Sequence, residues 1–382
     1  MTRPWPVPPY EIVGNLHLHT DHSDGAGTHQ EVAAAAVRAG LDVIAYTDHN
    51  CWTAGQEGWF SQPASGRRVL QLMGEENHNQ ARLPEVSHLL CLGTDRQLHP
   101  LGSQPQAVLN AVQRCGGVGF LAHPLEHAAP LFDEPALPWV DWEVTGYTGI
   151  ELWNTMSEFK RYLTSKPGAA LAAFFPSLFI RGPLPETLAL WDDLLRGGQR
   201  VAVIGGADAH ANVYSLGPLR RTVFPYEYLF RMVNTHLLLD TPLADDLAAA
   251  RGQVLDALRA GHAFVAYDLA GDPRGFRFTA TGRQGTAWMG DAIHLSDGLS
   301  LHVNSPLPAE LRLLRDGRVV AQARGRRLSY QTRQPGVFRV EAYRRYRFRS
   351  RGWVFTNPIY VLPAGPEEVG ARPGRETSRL CH

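Results

Sequence analysis

The chain of 382 residues is predicted to be an α/β protein that continues into a C-terminal β domain. Up to about residue 265, short apolar runs bounded by turn residues alternate with helical stretches, which is typical of βα units and a largely parallel sheet. Most of these runs carry a histidine or an acid at one end. Beyond about residue 265, the runs are short, rich in β-forming residues and regularly spaced, which is typical of a β-sandwich.

Seven candidate strands lie in the first part of the chain. They are 12–19, 42–49, 69–76, 88–93, 118–123, 150–154 and 201–210. In βα folds and barrels, the carboxyl ends of the strands deliver side chains to a common mouth, and active sites form there. The polar residues at the strand ends therefore indicate an enzyme site at one end of a sheet or barrel.

The candidate helices have recognisable ends. Thr28 and Glu31 form a capping box ahead of a helix over 32–39, and Gly40 stands where a C-cap glycine belongs. Further helices are expected at 106–114, 186–196 and 245–260, and each is closed by glycine.

An apolar insertion, 155–200, contains a Phe-rich part at 169–180 that no simple barrel requires. A lid, a dimer contact and buried core are the three alternatives for it, and we favour buried core.

We place the first domain at 1–265 and the β-sandwich at 266–364. Asp316-Gly317 between two of the sandwich runs is a strong hairpin signal. The remaining segment, 365–382, is rich in Gly, Pro, Arg and Glu, and we expect it to be disordered. The candidate sandwich strands are 276–280, 299–304, 311–314, 319–323, 328–332, 337–343 and 353–362.

Charge and composition exclude several classes of function. The 37 basic residues balance the 37 acidic residues, and no basic tract is present, so we expect a small-molecule substrate and no nucleic acid. The four cysteines form no CxxC pair, which favours a reducing compartment. No run of about 18 apolar residues occurs and no signal peptide is recognised, so we expect a cytoplasmic protein without a membrane segment. The oligomeric state is not indicated.

Histidines and acids at strand ends predict a metal site. On a strand, His17 and His19 project to the same face roughly 6.6 Å apart, so both rings can bind one cation. Asp208 and His210 repeat this spacing. A single His-x-His pair is weak evidence, because packed histidines are common. The pattern recurs in four more motifs, which are Tyr46-Thr-Asp48-His49-Asn, Gly74-Glu75-Glu76, His88-Leu-Leu and Leu121-Ala-His123-Pro.

In these motifs and their order, the chain resembles the PHP (polymerase and histidinol phosphatase) metallohydrolases, and in particular the carbaryl-hydrolase-type CehA/McbA branch, over about residues 12 to 265. The resemblance implies a distorted (β/α)7 barrel with up to three divalent ions, Zn, Mn or Fe. It also implies nine ligands, which are His17, His19, Asp24, His49, Glu76, His88, His123, Asp208 and His210.

The resemblance assigns these nine ligands to three ions. Those of the first ion are His17, His19, Glu76 and Asp208. Glu76 bridges to a second ion bound by His88 and His123. The third ion is assigned to Asp24, His49 and His210. Because Gly74 is followed by two glutamates, Glu75 remains the alternative to Glu76.

The implied activity is that of a metal-dependent hydrolase, most simply a phosphoesterase acting on phosphomonoesters or phosphodiesters through a metal-bridging hydroxide. Asp208, His210 and His123 are the expected catalytic residues. Hydrolysis of a carboxyl or carbamate ester on the same site is the close alternative. A noncatalytic, metal-stabilised binding module is the second alternative.

A competing motif covers part of the same segment. His17-Leu-His19-Thr-Asp21-His22 also fits the His-x-His-x-Asp-His pattern of metallo-β-lactamase-type hydrolases, but only one candidate strand precedes it, whereas that fold needs several. We favour the first interpretation, under which Asp21 and His22 line the mouth or are solvated.

Several neighbouring residues have weaker signals. Asp48 and Glu151 are expected to support ligands from outside the set of nine. His78 and His127 are candidates for proton transfer or substrate contact, although ordinary packing is the better explanation for both. The arginines nearest to the motifs are the candidates for phosphate contact, and they are Arg181, Arg220 and Arg221.

Overall fold

The computed structural model describes residues 10–63, 65–216, 219–283, 285–295 and 298–364. The tail expected at 365–382 lies outside these ranges, and so does Cys381.

Eight strands build the first part of the chain. Strands β2, β5 and β6 are buried along their whole length, as expected of apolar runs that are covered on both faces. Most of the candidate strands are confirmed, with the observed strands shorter at several ends. The bounds are β1 Tyr10–Asn15, β2 Val43–Tyr46, β3 Gly58–Gln62, β4 Arg67–Asn77, β5 Leu89–Leu92, β6 Val118–Leu121, β7 Gly149–Asn154 and β8 Ala202–Gly206.

Seven of these strands pair in a ring. Strands β1, β2 and β4 are parallel neighbours, and so are β6, β7 and β8. Strand β5 runs antiparallel between β4 and β6, and β3 pairs only with β4. The ring closes beyond β1 and β8, where Leu18 and Ala209 form a parallel bridge and the backbone N–H of His19 donates to the carbonyl of Ala209 at 2.9 Å.

The helices agree with the predicted ends. The Thr28–Glu31 capping box is present, and Gly40 has a left-handed φ of 87° at the helix end. Short helices within the insertion, and a single turn before the next strand, were not predicted. The bounds are α1 His29–Ala39, α2 Pro105–Arg114, α3 Thr155–Lys160, α4 Lys166–Phe174, α5 Pro185–Arg196, α6 Tyr226–Leu229 and α7 Leu247–Ala260. None of the described helices combines the length and apolarity that crossing a membrane requires.

Two antiparallel strand pairs that were not predicted complete the first part, namely β9 Asn212–Leu216 with β10 Leu219–Val223, and β11 Val233–Leu239 with β12 Ala263–Tyr267. Helix α7 connects β11 to β12. Strand β11 pairs antiparallel with β1, and the Thr235 hydroxyl donates to the carbonyl of Gly205 in β8 at 2.8 Å. Strand β11 therefore covers the seam between β1 and β8 below the closing bridge.

Apolar side chains fill the ring below the mouth. Leu70 and Leu72 lie on the same face of β4 as Glu76, and they belong to an interior cluster with Phe120. Val254 and Leu258 of α7 join the same cluster. Helix α7 therefore closes the end of the ring away from Glu76.

The C-terminal part consists of long strands. The Asp316-Gly317 hairpin is confirmed, and both of its residues have positive φ. The pairs of runs predicted on either side of this hairpin are single strands in the structure. The bounds are β13 Arg277–Gly282, β14 Gly285–Trp288, β15 Ala292–His294, β16 Leu299–Arg315, β17 Arg318–Thr332, β18 Gly336–Tyr346, β19 Arg349–Thr356 and β20 Ile359–Leu362.

Strand β16 joins two sets of pairings. Its first half pairs with β13 and its second half with β18, while β17 follows it along both halves. A register shift between Asn304 and Ala309 contains Pro306 and Pro308, so these prolines remove no ladder hydrogen bond. For this reason the strand continues through both prolines.

The mixed α/β class is confirmed, with extensive sheet and few helices. Strand β12, which contains residue 265, pairs with β11 on one edge and with β19 on the other. The domain boundary at residue 265 stays a prediction.

The insertion at 155–200 is partly core and partly surface. Ala172, Ile180 and Trp191 are buried, whereas Phe174 and Phe175 are about half exposed. The expectation of buried core therefore holds for one side of the segment and is wrong for its two adjacent phenylalanines.

Candidate metal centre

The mouth of the ring gathers all nine predicted ligands. The parallel strands bring their carboxyl-terminal residues or the residues just beyond them to this end. Strand β5 runs the other way, so its amino-terminal end faces the same mouth and His88 lies directly before it. The opposite polarity of this strand explains why its ligand precedes the apolar run.

Glu76 lies at the centre of the group. Its Oε1 is 2.9 Å from Nδ1 of His88 and 3.0 Å from Nε2 of His123. Its Oε2 is 3.1 Å from Nε2 of His17 and 3.3 Å from Nε2 of His19. Nδ1 of His49 is also 3.3 Å from Oε2. One carboxylate thus faces five imidazoles, two at Oε1 and three at Oε2.

Two further carboxylates complete the set. Oδ1 of Asp208 is 3.4 Å from Nε2 of His17 and 3.2 Å from Nε2 of His19. Oδ1 of Asp24 is 3.2 Å from Nε2 of His210. Within each of three groups the ligand atoms lie within 4.8 Å of one another, and these groups are His17–His19–Asp208, His17–Glu76–His123 and His19–Asp24–His49–His210.

Hydrogen bonds from outside the group orient three of the rings. Nδ1 of His17 is 3.0 Å from a carboxylate oxygen of Glu151, and Nε2 of His88 is 2.6 Å from the backbone carbonyl of Glu85. Nδ1 of His210 is 2.9 Å from the carbonyl of Asp208. When these nitrogens carry the proton, the opposite nitrogen of each ring has its lone pair directed at the mouth, as metal-binding histidines require.

Charge is concentrated in this buried group. Burial alone would lower the pKa of His19, but the negative charges of Asp208 and Glu76 beside it raise that pKa to about 10. Burial alone would also lower the pKa of His123, but its contact with Glu76 raises that pKa to about 9. Burial works to raise the pKa of Glu76, yet the surrounding imidazoles hold it well below its usual range. The group is therefore strongly attractive to cations.

The donor set fits divalent metal ions. Within the nine predicted ligands, four buried imidazole nitrogens have no hydrogen-bond partner among the described residues, and they are Nδ1 and Nε2 of His19, Nδ1 of His49 and Nδ1 of His123. Buried polar atoms without partners are rare in native proteins, and a bound ion is a recognised reason for them. Imidazole with carboxylate is a ligand combination suited to zinc, iron or manganese.

The backbone is strained at two of these positions. Asp208 and His123 have positive φ values of 53° and 25°, which are uncommon for residues other than glycine. Such strain is concentrated at functional sites, where the surrounding structure holds it. Gly206 lies two residues before Asp208. A Cβ at this position would lie 2.7 Å from Oε1 of Glu151 and 2.8 Å from Cβ of His17, so glycine leaves space for these two side chains.

Alternation along β4 separates the two adjacent glutamates. Glu76 faces the histidines, while Oε1 of Glu75 accepts from the backbone N–H of Leu98 at 2.9 Å and from Asn77 at 3.0 Å. Burial raises the pKa of Glu75 to about 7. Glu75 therefore lies away from the mouth.

Asp48 also lies outside the ligand group. Its carboxylate accepts from the backbone N–H and hydroxyl of Thr20 and from the hydroxyl of Ser23 at 2.7–2.8 Å. It thereby holds the loop that carries Asp24.

The two histidines with weaker sequence signals, His78 and His127, lie in different parts of the structure. His78 is buried at the mouth, where it stacks on His88 with ring centroids 4.4 Å apart and lies 2.9 Å from a carboxylate oxygen of Glu85. The sequence carried no signal for Glu85, because its role depends on the turn before β5. His127 lies on the surface, 3.5 Å from Glu186.

The candidate arginines have no contact with the nine ligands. Arg221 stacks over Phe174 at 4.2 Å, and Arg181 lies 5.9 Å from the ring of Tyr162. Arg220 is exposed. These positions do not support the expectation that one of the three arginines contacts phosphate.

No protein-family model and no curated protein matches this chain. Among solved structures, it is similar to a two-domain protein from Bacteroides vulgatus that contains a predicted PHP-like metal-dependent phosphoesterase, with 15% identity, a TM-score of 0.45, and 94% of this chain and 97% of that one covered. It is also similar to a presumptive metal-dependent phosphoesterase from Bifidobacterium adolescentis, with 17% identity, a TM-score of 0.34, and coverage of 52% and 87%.

A third similar structure is an amidohydrolase from Chromobacterium violaceum with bound sulfate and no metal, with 16% identity, a TM-score of 0.29, and coverage of 57% and 96%. Two of the three descriptions name the class to which the motifs point, that of metal-dependent phosphoesterases. At these TM-scores and identities, the likenesses by themselves establish nothing about the reaction of this chain.

Proposed function

We propose that this protein is a metal-dependent hydrolase of phosphomonoesters or phosphodiesters. The observation that carries the proposal is the convergence of three carboxylates and six imidazoles around Glu76, with buried ring nitrogens that lack partners. A site kept only for structure needs fewer ligands and no open positions.

The ligand assignment proposed for this site is the one that the sequence motifs imply. His17, His19, Glu76 and Asp208 would hold one ion, and Glu76, His88 and His123 would hold a second. A third would lie between Asp24, His49 and His210. Bound zinc, manganese or iron would supply a water of lowered pKa and neutralise charge on the electrophile.

The chain's own residues prepare this site. Glu151 accepts from three groups, namely His17, the backbone N–H of His123 and the amide of Asn154 at 2.9 Å, so one carboxylate sets the positions of two ligands. Asn154 also donates to Asp208 at 3.2 Å. We assign the catalytic roles to Asp208, His210 and His123, because they border the mouth on loops that follow β6 and β8.

The charge of the site favours an anionic substrate. The nine ligands contribute three negative carboxylates and six imidazoles that are neutral when they bind metal. A site loaded with two or three divalent ions would therefore be net positive and would attract phosphate ahead of a neutral ester. This charge supports a phosphoesterase although the three candidate arginines do not contact the ligands.

We further propose that the ring of strands is the distorted (β/α)7 barrel of the PHP type, spanning 1–265, and that 266–364 is the β-sandwich. The closing bridge between Leu18 and Ala209 and the single antiparallel strand β5 support the barrel. The two sets of pairings made by β16 support the sandwich.

The test combines metal analysis with a substrate panel. Purified protein is analysed for bound metal and assayed with p-nitrophenyl phosphate, bis-p-nitrophenyl phosphate and p-nitrophenyl acetate. We expect hydrolysis of a phosphoester that chelation abolishes and added zinc or manganese restores. His17→Ala and Asp208→Ala should lose bound metal and turnover together.

The matched control is His127→Ala, which removes an exposed imidazole outside the site. It should keep both metal and turnover. Phosphoester hydrolysis that survives complete removal of metal would contradict the proposal. Metal-dependent hydrolysis of the acetate ester alone would instead identify a carboxyl esterase.

A further inference from the structure

A second cluster of possible metal ligands lies on the loop between β1 and α1, apart from the nine residues described above. It consists of Asp21, His22 and His29, which offer one ligand atom each within 4.8 Å of one another. Oδ1 of Asp21 is 3.2 Å from Nδ1 of His22, and the rings of His22 and His29 meet edge to face with centroids 4.7 Å apart.

His29 is the buried member of the cluster. This residue is 5% exposed, its ring packs against that of Tyr46 at 4.4 Å, and its Nε2 has no hydrogen-bond partner in the described part of the chain. The side chains of Asp21 and His22 are 46% and 42% exposed, so they can move to meet a ligand. A buried, unpartnered imidazole nitrogen beside two exposed donors is an arrangement that a bound cation would satisfy.

The turn after His19 separates this cluster from the central one. Backbone N–H groups of Ser23 and Gly25 donate to the carbonyl of Thr20, so the chain reverses direction there. His19 faces Glu76 and Asp208, whereas Asp21 and His22 face the first turn of α1. The residues that match the His-x-His-x-Asp-His motif are therefore divided between the central cluster, which contains His19, and the second cluster, which contains Asp21 and His22.

Nearby carboxylates leave the cluster available. Both oxygens of Asp48 are occupied by Thr20 and Ser23. Glu31 caps the start of α1 through Thr28. In the described part of the chain, neither acid forms an ion pair or a hydrogen bond with His22 or His29, so one carboxylate and two imidazoles remain as donors.

We infer that Asp21, His22 and His29 form a separate binding site for a divalent cation of the zinc class. Two nitrogen donors and one oxygen donor match zinc, and a coordination position remains for water. Ligand atoms around a tetrahedral zinc lie about 3.3 Å apart, given bonds of about 2.0 Å. The Asp21–His22 pair already has a separation of 3.2 Å. The inference does not depend on the proposed hydrolase activity.

Zinc stoichiometry of the full chain tests the inference. Wild type, Asp21→Asn and His22→Ala are dialysed against zinc at a free concentration of about 10 µM, and bound zinc per chain is measured by mass spectrometry of the metal. We expect both variants to bind one zinc ion fewer than wild type. Their substitutions are on exposed side chains, and unchanged thermal melting verifies folding.

Two comparisons make the result decisive. His127→Ala, an exposed imidazole paired with Glu186, should bind as much zinc as wild type. In an Asp208→Ala background, which disables the central site, adding His22→Ala should still remove one zinc ion per chain. Equal zinc content in wild type, Asp21→Asn and His22→Ala would overturn the inference, whatever the central site binds.

Discussion

At the scale of single residues, Glu151 shows how a side chain that binds no metal can control the site. It is fully buried and contacts Nδ1 of His17, the backbone of His123 and the amide of Asn154. A carboxylate hydrogen-bonded to a metal-binding histidine sets the tautomer of the ring and raises its basicity.

Glu151→Gln tests this role. The amide can no longer supply the charge that favours the required tautomer of His17, so we expect metal affinity to fall about 10–100-fold while the fold is kept. Competition with a chromogenic chelator measures the affinity. An unchanged affinity would show that His17 is oriented by packing alone.

His236 is another buried residue whose role is visible only in the structure. It lies between Glu11 at 2.8 Å and Asp268 at 3.1 Å, on a face of β11 that stacks on Phe264. Burial would lower the pKa of His236, but the charges of Asp268 and Glu11 raise it to about 9. It therefore carries a positive charge in the folded protein at neutral pH.

This charge predicts a pH-dependent stability. The pKa of His236 is about 9 in the folded protein and 6.5 ordinarily, so protonation of its ring stabilises the fold. This contribution to the free energy of unfolding is complete below about pH 6.5 and is lost as the pH rises through about 9. The stability difference between wild type and His236→Gln should shrink by about 3 kcal/mol between about pH 6 and pH 10. Urea unfolding of metal-free protein measures it, and a constant difference would contradict the prediction.

At the scale of elements, the approach of β8 to the strands beside it limits the size of one side chain. Gly206 ends β8, and the space of a Cβ at this position is taken by Glu151 and His17. The contact between Glu151 and His17 therefore requires glycine on the neighbouring strand.

Gly206→Ala should weaken metal binding although it changes no ligand. The added methyl group must displace Glu151 or His17, and we expect affinity to fall about tenfold or more. Gly252→Ala in α7 is the matched control, because nothing lies within 4 Å of its Cβ position. The control should keep its affinity and gain up to about 1 kcal/mol of stability. Equal metal affinity in both variants would show that the site adjusts without cost.

Elements differ in how well their sequence predicts them. Helix α1 was predicted from Thr28, Glu31 and Gly40, because caps act within one turn. Strand β11 was not predicted, since its identity as a strand depends on pairing with β1 and β12. The two halves of β16 were predicted as separate strands, because the register shift that joins them depends on the partner strands.

At the scale of the whole molecule, buried arginines connect the insertion to the C-terminal strands. Arg339 of β18 is 2% exposed and donates to both carboxylate oxygens of Asp192 in α5 at 2.8 Å. It also donates to Glu341 at 2.7 Å. Arg351 of β19 donates to the carbonyl of Leu178 at 2.8 Å. These contacts hold the insertion in place relative to the β strands.

Arg339→Ala should destabilise the protein by about 3–5 kcal/mol, because it leaves Asp192 and Glu341 without their buried counter-charge. Arg345→Ala, an exposed position on the same strand, should change stability by no more than about 0.5 kcal/mol. Chemical denaturation of the two variants measures the difference. Similar values would show that water replaces the lost guanidinium.

The sequence by itself determined the candidate ligands of the site and the local signals of the fold. Histidines and acids at strand ends, the capping box and the Asp316-Gly317 hairpin are each recognisable within a few residues. This is possible because side-chain alternation, capping and turn geometry are short-range effects.

Only the tertiary structure decided which donors meet. It placed Glu76 and not Glu75 at the mouth, turned His88 toward it through the antiparallel strand β5, and grouped His22 with His29. It also brought Arg339 to Asp192 across 147 residues of chain. Such contacts depend on the direction and register of strands and on side chains far apart in sequence, which local preferences do not specify.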